Sequence, residues 1–231
     1  PKIAGIAVII SFMEIPFKNI LSEWQLIVIF LSISSMILGA VAAIGQQNIK
    51  RLLAYSSIGH IGYVLAGIAT GQQSGYASSL VYLVIYVVMN IGAFSCLYLL
   101  KSNGSYTEKI NDLAGISKNK PILAFSLLII FFSLAGIPPL GGFFAKFYVF
   151  ISVIESELYT LAVVGLVTTV ISAFYYLKVI KIIYFDEEQT KLDQIKNLQT
   201  SSIIFISCLL LISYFIYPSV LNNIIDPIFM N

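Results

Sequence analysis

Three protonatable side chains stand where apolar sequence surrounds them: Lys146 in LGGFFAKFYVF, His60 in SSIGHIGYVL and Lys2 in PKIAGIAVII. Desolvation disfavours the charged form of an amine, so a lysine held away from water is suited to taking up and releasing protons. Lys146 is the only charge between Pro121 and Ile154. As a single helix that run would be about 50 Å long, well beyond a hydrocarbon core of about 30 Å. Pro138 and Pro139 lack amide donors, while Gly141 and Gly142 accept unusual dihedrals. The expected result is a broken membrane helix, and such backbone survives only where other protein or a water-filled cavity satisfies it. Ser152 and Glu155 are the first hydrophilic residues beyond Lys146, which puts the ammonium roughly 13 Å from that end of the helix. The competing reading is a lysine that snorkels to the headgroups. That distance argues against it.

His60, the only histidine, lies about 14 Å along a helix from Arg51, again near mid-membrane. Its ordinary titration range makes it a natural proton relay. The alternative is a hydrogen bond across a close helix contact at Gly59 and Gly62. Lys2 lies some 20 Å from the far end of its segment, so it is either within the membrane or at the opposite interface. Tyr82, Tyr86, Asn90 and Tyr98 form a polar series that either lines a hydrated path or ties helices together. Cys96 and Cys208 sit in apolar runs without a CxxC partner or nearby histidine, so no disulfide, zinc or iron-sulfur site is expected.

The elements that must position these groups follow from composition. At 231 residues, 58% hydrophobic and 10% charged, the chain is too apolar for a soluble domain, where about a quarter of residues are charged. It reads as an all-α, polytopic membrane helix bundle of about seven transmembrane segments, one of them broken. The expected segments are 2–16, 24–45, 50–70, 76–100, 121–154 with its break near 137–142, 159–184 and 202–217, in a single transmembrane domain 1–231. Trp24 suits an interfacial anchor, and Glu14 with Lys18 has the i,i+4 spacing of a surface ion pair. The stretch 101–120 reads as an aqueous surface turn. A net charge of +2 without a basic patch gives no case for nucleic acid. The connections holding Lys50, Arg51, Lys101, Lys109, Lys118, Lys120, Lys178, Lys181, Lys191 and Lys196 lie on one side, against Lys18 alone on the other. The positive-inside rule makes the crowded face cytoplasmic or matrix and places the C-terminus outside. The chain starts at Pro1, with no initiating Met or leader pattern, and reads as a fragment with sequence missing upstream.

IKRLLAYSSIGHIGY, then LAGIPPLGGFFAKFYVF, then YYLKVIKIIYF together resemble the antiporter-like membrane subunits of respiratory complex I, the NADH-quinone oxidoreductases. The resemblance covers essentially the whole chain, and the lysine-bearing GGFFAKFYVF version favours one branch of that family. It implies the C-terminal half of a fourteen-helix antiporter-like fold built on inverted repeats, each with one discontinuous helix. It also implies a polar central axis: the family's eighth-helix lysine matches Lys2, its twelfth-helix lysine matches Lys146, and an axial position matches His60. The implied activity is proton translocation along a row of buried lysine, histidine and water, driven by quinone reduction in other subunits.

On that reading the chain itself binds no cofactor. NADH, FMN, iron-sulfur clusters and quinone are expected in partner subunits, since this sequence has no Gly-rich strand-to-helix turn and no cysteine cluster. Its partners would be the other membrane-arm subunits and the lipid bilayer, with protons as the transported species. The location would be the bacterial inner membrane or, alternatively, the mitochondrial one. Rival readings are a subunit of a multisubunit sodium/proton antiporter, a structural membrane scaffold and, with least support, an autonomous transporter, which would need a second broken helix.

Overall fold

The computed structural model describes residues 2–102, 104–188, 192–193 and 197–229. Helices α1 (Lys2–Glu14), α2 (Leu21–Ile44), α3 (Ile49–Ala69) and α4 (Gln73–Tyr98) come first. A two-stranded hairpin follows, β1 (Lys101–Ser102) with β2 (Ser105–Tyr106), and then the short α5 (Ile116–Asn119). The chain continues through α6 (Pro121–Ala135), α7 (Gly141–Glu155), α8 (Tyr159–Phe185), α9 (Leu198–Ile216) and α10 (Ser219–Phe229). Among the described residues, five stretches are long and apolar enough to cross a membrane: those of α2, α3, α4, α8 and α9. The α6 helix is apolar but shorter, and with α7 it forms the interrupted element.

Local chemistry sets the helix ends. The Asn48 side chain accepts the amides of Lys50 and Arg51 at 2.9 and 3.2 Å and so starts α3, and Asn197 does the same for α9 through Thr200. Such caps satisfy amides that the helix leaves unpaired. Pro121 occupies the first turn of α6, where its missing donor costs nothing. Capping by Asn197 starts α9 four residues earlier than hydropathy implies, and the loop before α4 shrinks to Thr70, Gly71 and Gln72.

Packing is densest between the antiparallel α2 and α3. A Cβ on Gly39 would come within 2.7 Å of the Gly59 Cα, and one on Gly62 within 2.9 Å of the Met36 amide nitrogen. Small residues thus let two backbones meet, which is how membrane helices associate when lipid removes the hydrophobic drive. Ser32 adds a hydrogen bond to the Gly62 carbonyl at 2.7 Å. The centre belongs to α4, which packs against α3, α6, α7, α9 and α10, while α8 closes the bundle against α2 and α6. Leu26, Phe30, Val170 and Phe174 remain exposed, so the outer surface is apolar in the way a bilayer requires. The chain is an integral membrane protein.

Three connections differ from the sequence reading. Residues 101–102 and 104–120 are folded and attached: Ile49 donates to the Glu108 carbonyl and Ile110 to that of Gln47, both at 2.9 Å. Gly115 meets the Ile182 carbonyl at 3.2 Å, and Ile110, Leu113 and Ile116 are buried beneath the polar residues. Glu14 and Lys18 form no ion pair, because α1 stops at Glu14 and the i,i+4 relation needs an unbroken helix. The tail after Pro218 winds into α10, which packs on α4. Trp24 opens the first turns of α2 and is buried, its indole donating to the Phe17 carbonyl at 3.0 Å.

Two expectations arise from these contacts. Gly39→Val forces α2 and α3 apart, and overpacking of this kind costs about 1–3 kcal/mol. A lower Tm in detergent checks it, with Gly45→Val, where a side chain meets open space, as the neutral control. At the lysine-rich face, the Lys50 ammonium at 2.9 Å and the Asn48 amide at 3.0 Å hold the Glu108 carboxyl below the usual carboxylate range. A lowered folded-state value means the contact stabilises above the ordinary carboxylate range and is lost as pH falls through the lowered one. Amide exchange at Ile49 and Ile110 should therefore be faster in Glu108→Gln than in the parent at neutral pH. In acid, where the parent carboxyl is also neutral, the two should converge.

Candidate functional site

The break in the α6–α7 element creates the site. Gly136 ends α6 in the left-handed region, φ 83°, a conformation that costs a residue with a side chain about 1–2 kcal/mol. Its amide and that of Ile137 bond back to Phe132 at 3.1 and 2.9 Å, closing the last turn. Pro138 and Pro139 cross the gap through a cis bond. On the far side the Gly142 amide, in the first turn of α7, finds the Ser133 hydroxyl at 3.0 Å. The amides on both sides of the break are thus satisfied from within the interrupted element itself.

Lys146 lies on α7 and turns back towards this gap. It is 4% exposed, and its Nζ donates to the Ala135 carbonyl at 3.1 Å and the Leu134 carbonyl at 3.4 Å. These carbonyls are at the C-terminal, electronegative end of α6, where a cation is stabilised. The ammonium also sits 5.0 Å from the centre of the Tyr63 ring, a cation–π contact strengthened by burial. Among the described residues no carboxylate comes within ion-pair distance of it. A snorkelling lysine would point along its helix to the surface, and this one points inward.

His60 faces away from the α2–α3 seam. Gly59 and Gly62 make the close contact with α2, while the imidazole turns towards α4 and α8. Nδ1 lies 2.7 Å from the Tyr82 hydroxyl and Nε2 lies 3.3 Å from that of Tyr176. The ring stacks on Tyr86 at 4.8 Å between centroids. Tyr176 hydrogen-bonds Ser56. Tyr63 joins the two centres: its ring lies under Lys146 and edge-on to His60 at 6.3 Å. Its hydroxyl meets Thr168 at 3.1 Å and accepts from Thr169 at 2.9 Å. The result is two buried polar clusters, one at the helix break and one between α3, α4 and α8, that meet through the Tyr63 ring and not through a hydrogen bond; each hydroxyl in them can both donate and accept.

Of the residues singled out in the sequence, Lys146, His60, Tyr82 and Tyr86 come together here. Asn90 is only partly buried, and Tyr98 is half exposed against Tyr106 and Lys101 at the lysine-rich face. Lys2 opens α1, but its side chain lies outside the described residues. Cys96 and Cys208 are buried and unbridged, and no group of three metal-ligating side chains gathers among the described residues. Sequence reading missed Tyr63, Tyr176, Thr168 and Ser56. Their signal was present, since Ser56, His60 and Tyr63 follow i, i+4, i+7 on one face of α3, and Thr168, Ser172 and Tyr176 do so by fours on α8.

A polar cluster closed around a broken membrane helix defines a class of integral membrane protein rather than a soluble catalyst. A family profile described as "NADH:quinone oxidoreductase/Mrp antiporter, TM" matches residues 1–172. The chain belongs to that family. It is 59% identical over 228 residues to NADH-quinone oxidoreductase subunit N of Pelagibacter ubique, covering 99% of this chain and 48% of that relative. Subunit N is the branch that the lysine-bearing GGFFAKFYVF version favours. The chain spans about half the length of the curated relatives it matches. Among solved structures it is similar to a chain of respiratory complex I from Thermus thermophilus with bound aureothin, at TM-score 0.75 and 29% identity, over 85% of this chain and 44% of that one. A chain of the Mrp complex from Dietzia sp. shares the fold at TM-score 0.83 and 17% identity, over 98% of this chain and 50% of that one.

Gly136→Ala tests the coupling between break and lysine. A Cβ there needs the left-handed conformation and comes within 3.0 Å of the Lys146 Cδ. The variant should lose about 1–2 kcal/mol and show a lower Tm. Ala135→Gly, which leaves the left-handed position untouched, should cost no more than about 1 kcal/mol.

Proposed function

We propose that this chain is part of a proton-translocating membrane-arm subunit of an NADH-quinone oxidoreductase. The subunit belongs to an oxidoreductase and translocase assembly but holds no redox centre in these residues. NADH, FMN, iron-sulfur clusters and quinone belong to partner subunits, and quinone reduction there drives proton movement here. Lys146 and His60 carry protons, with Lys2 as a third station on the same row. The Tyr63 ring and hydroxyl, with Tyr82, Tyr86 and Tyr176, bridge between them. The membrane is the bacterial inner membrane, with the lysine-rich face inside and the C-terminus outside. The chain corresponds to the C-terminal half of the antiporter-like fold.

One observation carries this reading: a buried ammonium held by helix-end carbonyls and an aromatic face, with no carboxylate at ion-pair distance among the described residues. Carbonyl dipoles and a ring solvate either protonation state of an amine more evenly than a carboxylate would. A paired carboxylate would hold the proton in place. A change of charge next to the row alters which site holds the proton, and a proton then moves stepwise.

The test is Lys146→Met in the full-length protein within its intact assembly. Proton pumping per NADH oxidised by inverted vesicles should fall by most of its value while the assembly forms normally. Lys146→Arg, which keeps the charge but cannot release its proton, should pump no better than Lys146→Met. His60→Gln should lower pumping by a smaller factor. Full pumping by Lys146→Met in a normally assembled complex would establish the scaffold reading, and sodium-dependent proton movement would establish the cation antiporter.

A further inference from the structure

One cavity lies away from the Lys146 site. It is a groove of about 620 Å³ on the outer surface between α6 and α9. Its floor is buried, with Ser126, Ile129, Ile204 and Cys208, and its walls are the exposed Phe125, Phe205 and Leu209. The groove is apolar over its length and polar at one end, where Asn119, Lys120 and Ser201 lie. That end is at the starts of α6 and α9, on the lysine-rich face.

From this geometry we infer a binding site for one acyl chain of an anionic phospholipid, with its headgroup at Lys120. Length argues for a lipid. From Lys120 to Ile129 along α6 is about 13 Å, and from Ser201 to Ile212 along α9 about 16 Å. Each is close to half of a hydrocarbon core of about 30 Å, so the groove spans one leaflet and stops. A neighbouring membrane helix would call for a groove running the full depth. Charge argues for an anionic headgroup. Lys120 gives one of its three ammonium protons to the Asp193 carbonyl at 2.5 Å and also feels the Asp193 carboxylate, which leaves donors for a second anion. The exposed Lys118 stands two residues away, and the start of α6, whose first amides lack helical partners, opens beside it. Basic pockets between helices on this side of a membrane suit anionic headgroups.

The site is tested on the full-length protein in its intact assembly, reconstituted in phosphatidylcholine vesicles. A trace of phosphatidylglycerol or phosphatidylcholine bearing a photoactivatable group on one acyl chain is added, and labelled peptides are mapped. The phosphatidylglycerol probe should mark α6 and α9 at Phe125, Ile129, Phe205 and Leu209 several-fold more than the phosphatidylcholine probe does. Lys120→Gln should abolish that preference, and Ser126→Trp, which fills the floor, should remove the label. Label spread evenly over all lipid-facing helices, including Leu26 and Phe30 of α2, would overturn the inference. So would an unlabelled groove covered by a neighbouring subunit. Equal labelling by both probes in the parent, or an unchanged preference in Lys120→Gln, would overturn the headgroup assignment.

Discussion

The structure depends on one electrostatic fit, an ammonium placed against the carbonyl end of a helix that stops inside the membrane. An intact helix consumes its own carbonyls and leaves none for a cation. By ending at Ala135, α6 frees the Leu134 and Ala135 oxygens, and Lys146 fills that vacancy from the next half-helix. The converse also holds. Buried carbonyls without donors are costly, so the lysine and the amides of Gly136 and Ile137 together make the break tolerable. Break and charge form one device, the carbonyls freed by the one receiving the other.

Helix α3 divides its faces between two tasks. Its glycines bring the backbone against α2, and its Ser56, His60 and Tyr63 face the helices that carry the other hydroxyls. A close-packed seam behind the site keeps His60 and Tyr63 in register with Tyr82, Tyr176 and Thr168, whose hydroxyls lie within hydrogen-bond reach. The folded stretch between α4 and α6 does comparable work at the surface, joining the α2–α3 turn to the end of α8.

Family membership accords with these features without resting on them. The bundle is shared with a chain of the Mrp complex at 17% identity, so the packing tolerates wide substitution. The Lys146 ammonium is a narrower feature, because a single side chain supplies it.

The membrane class, the long apolar helices and the break were legible in the sequence, because each rests on a local rule, while α10 and the start of α9 were not. Long apolar runs must be helical in lipid, and two consecutive prolines beside two glycines end a helix wherever they occur. The isolation of Lys146 was equally plain, since no other charge lies within its run. Which way its side chain turns was not, and neither was the meaning of Gly59 and Gly62, which face α2 while His60 faces the opposite side. Asn90 and Tyr98 looked as promising as Tyr82 and Tyr86, yet only the second pair meets the histidine. Residues 101–120 looked loose because their hydrogen bonds go to α3 and α8, far along the chain. Hydropathy and turn chemistry act between neighbours, so the sequence alone determined where the chain crosses, stops and breaks. The partners of a buried polar group are chosen by helices that meet in space, and only the tertiary structure decided that Lys146, Tyr63 and His60 share one interior.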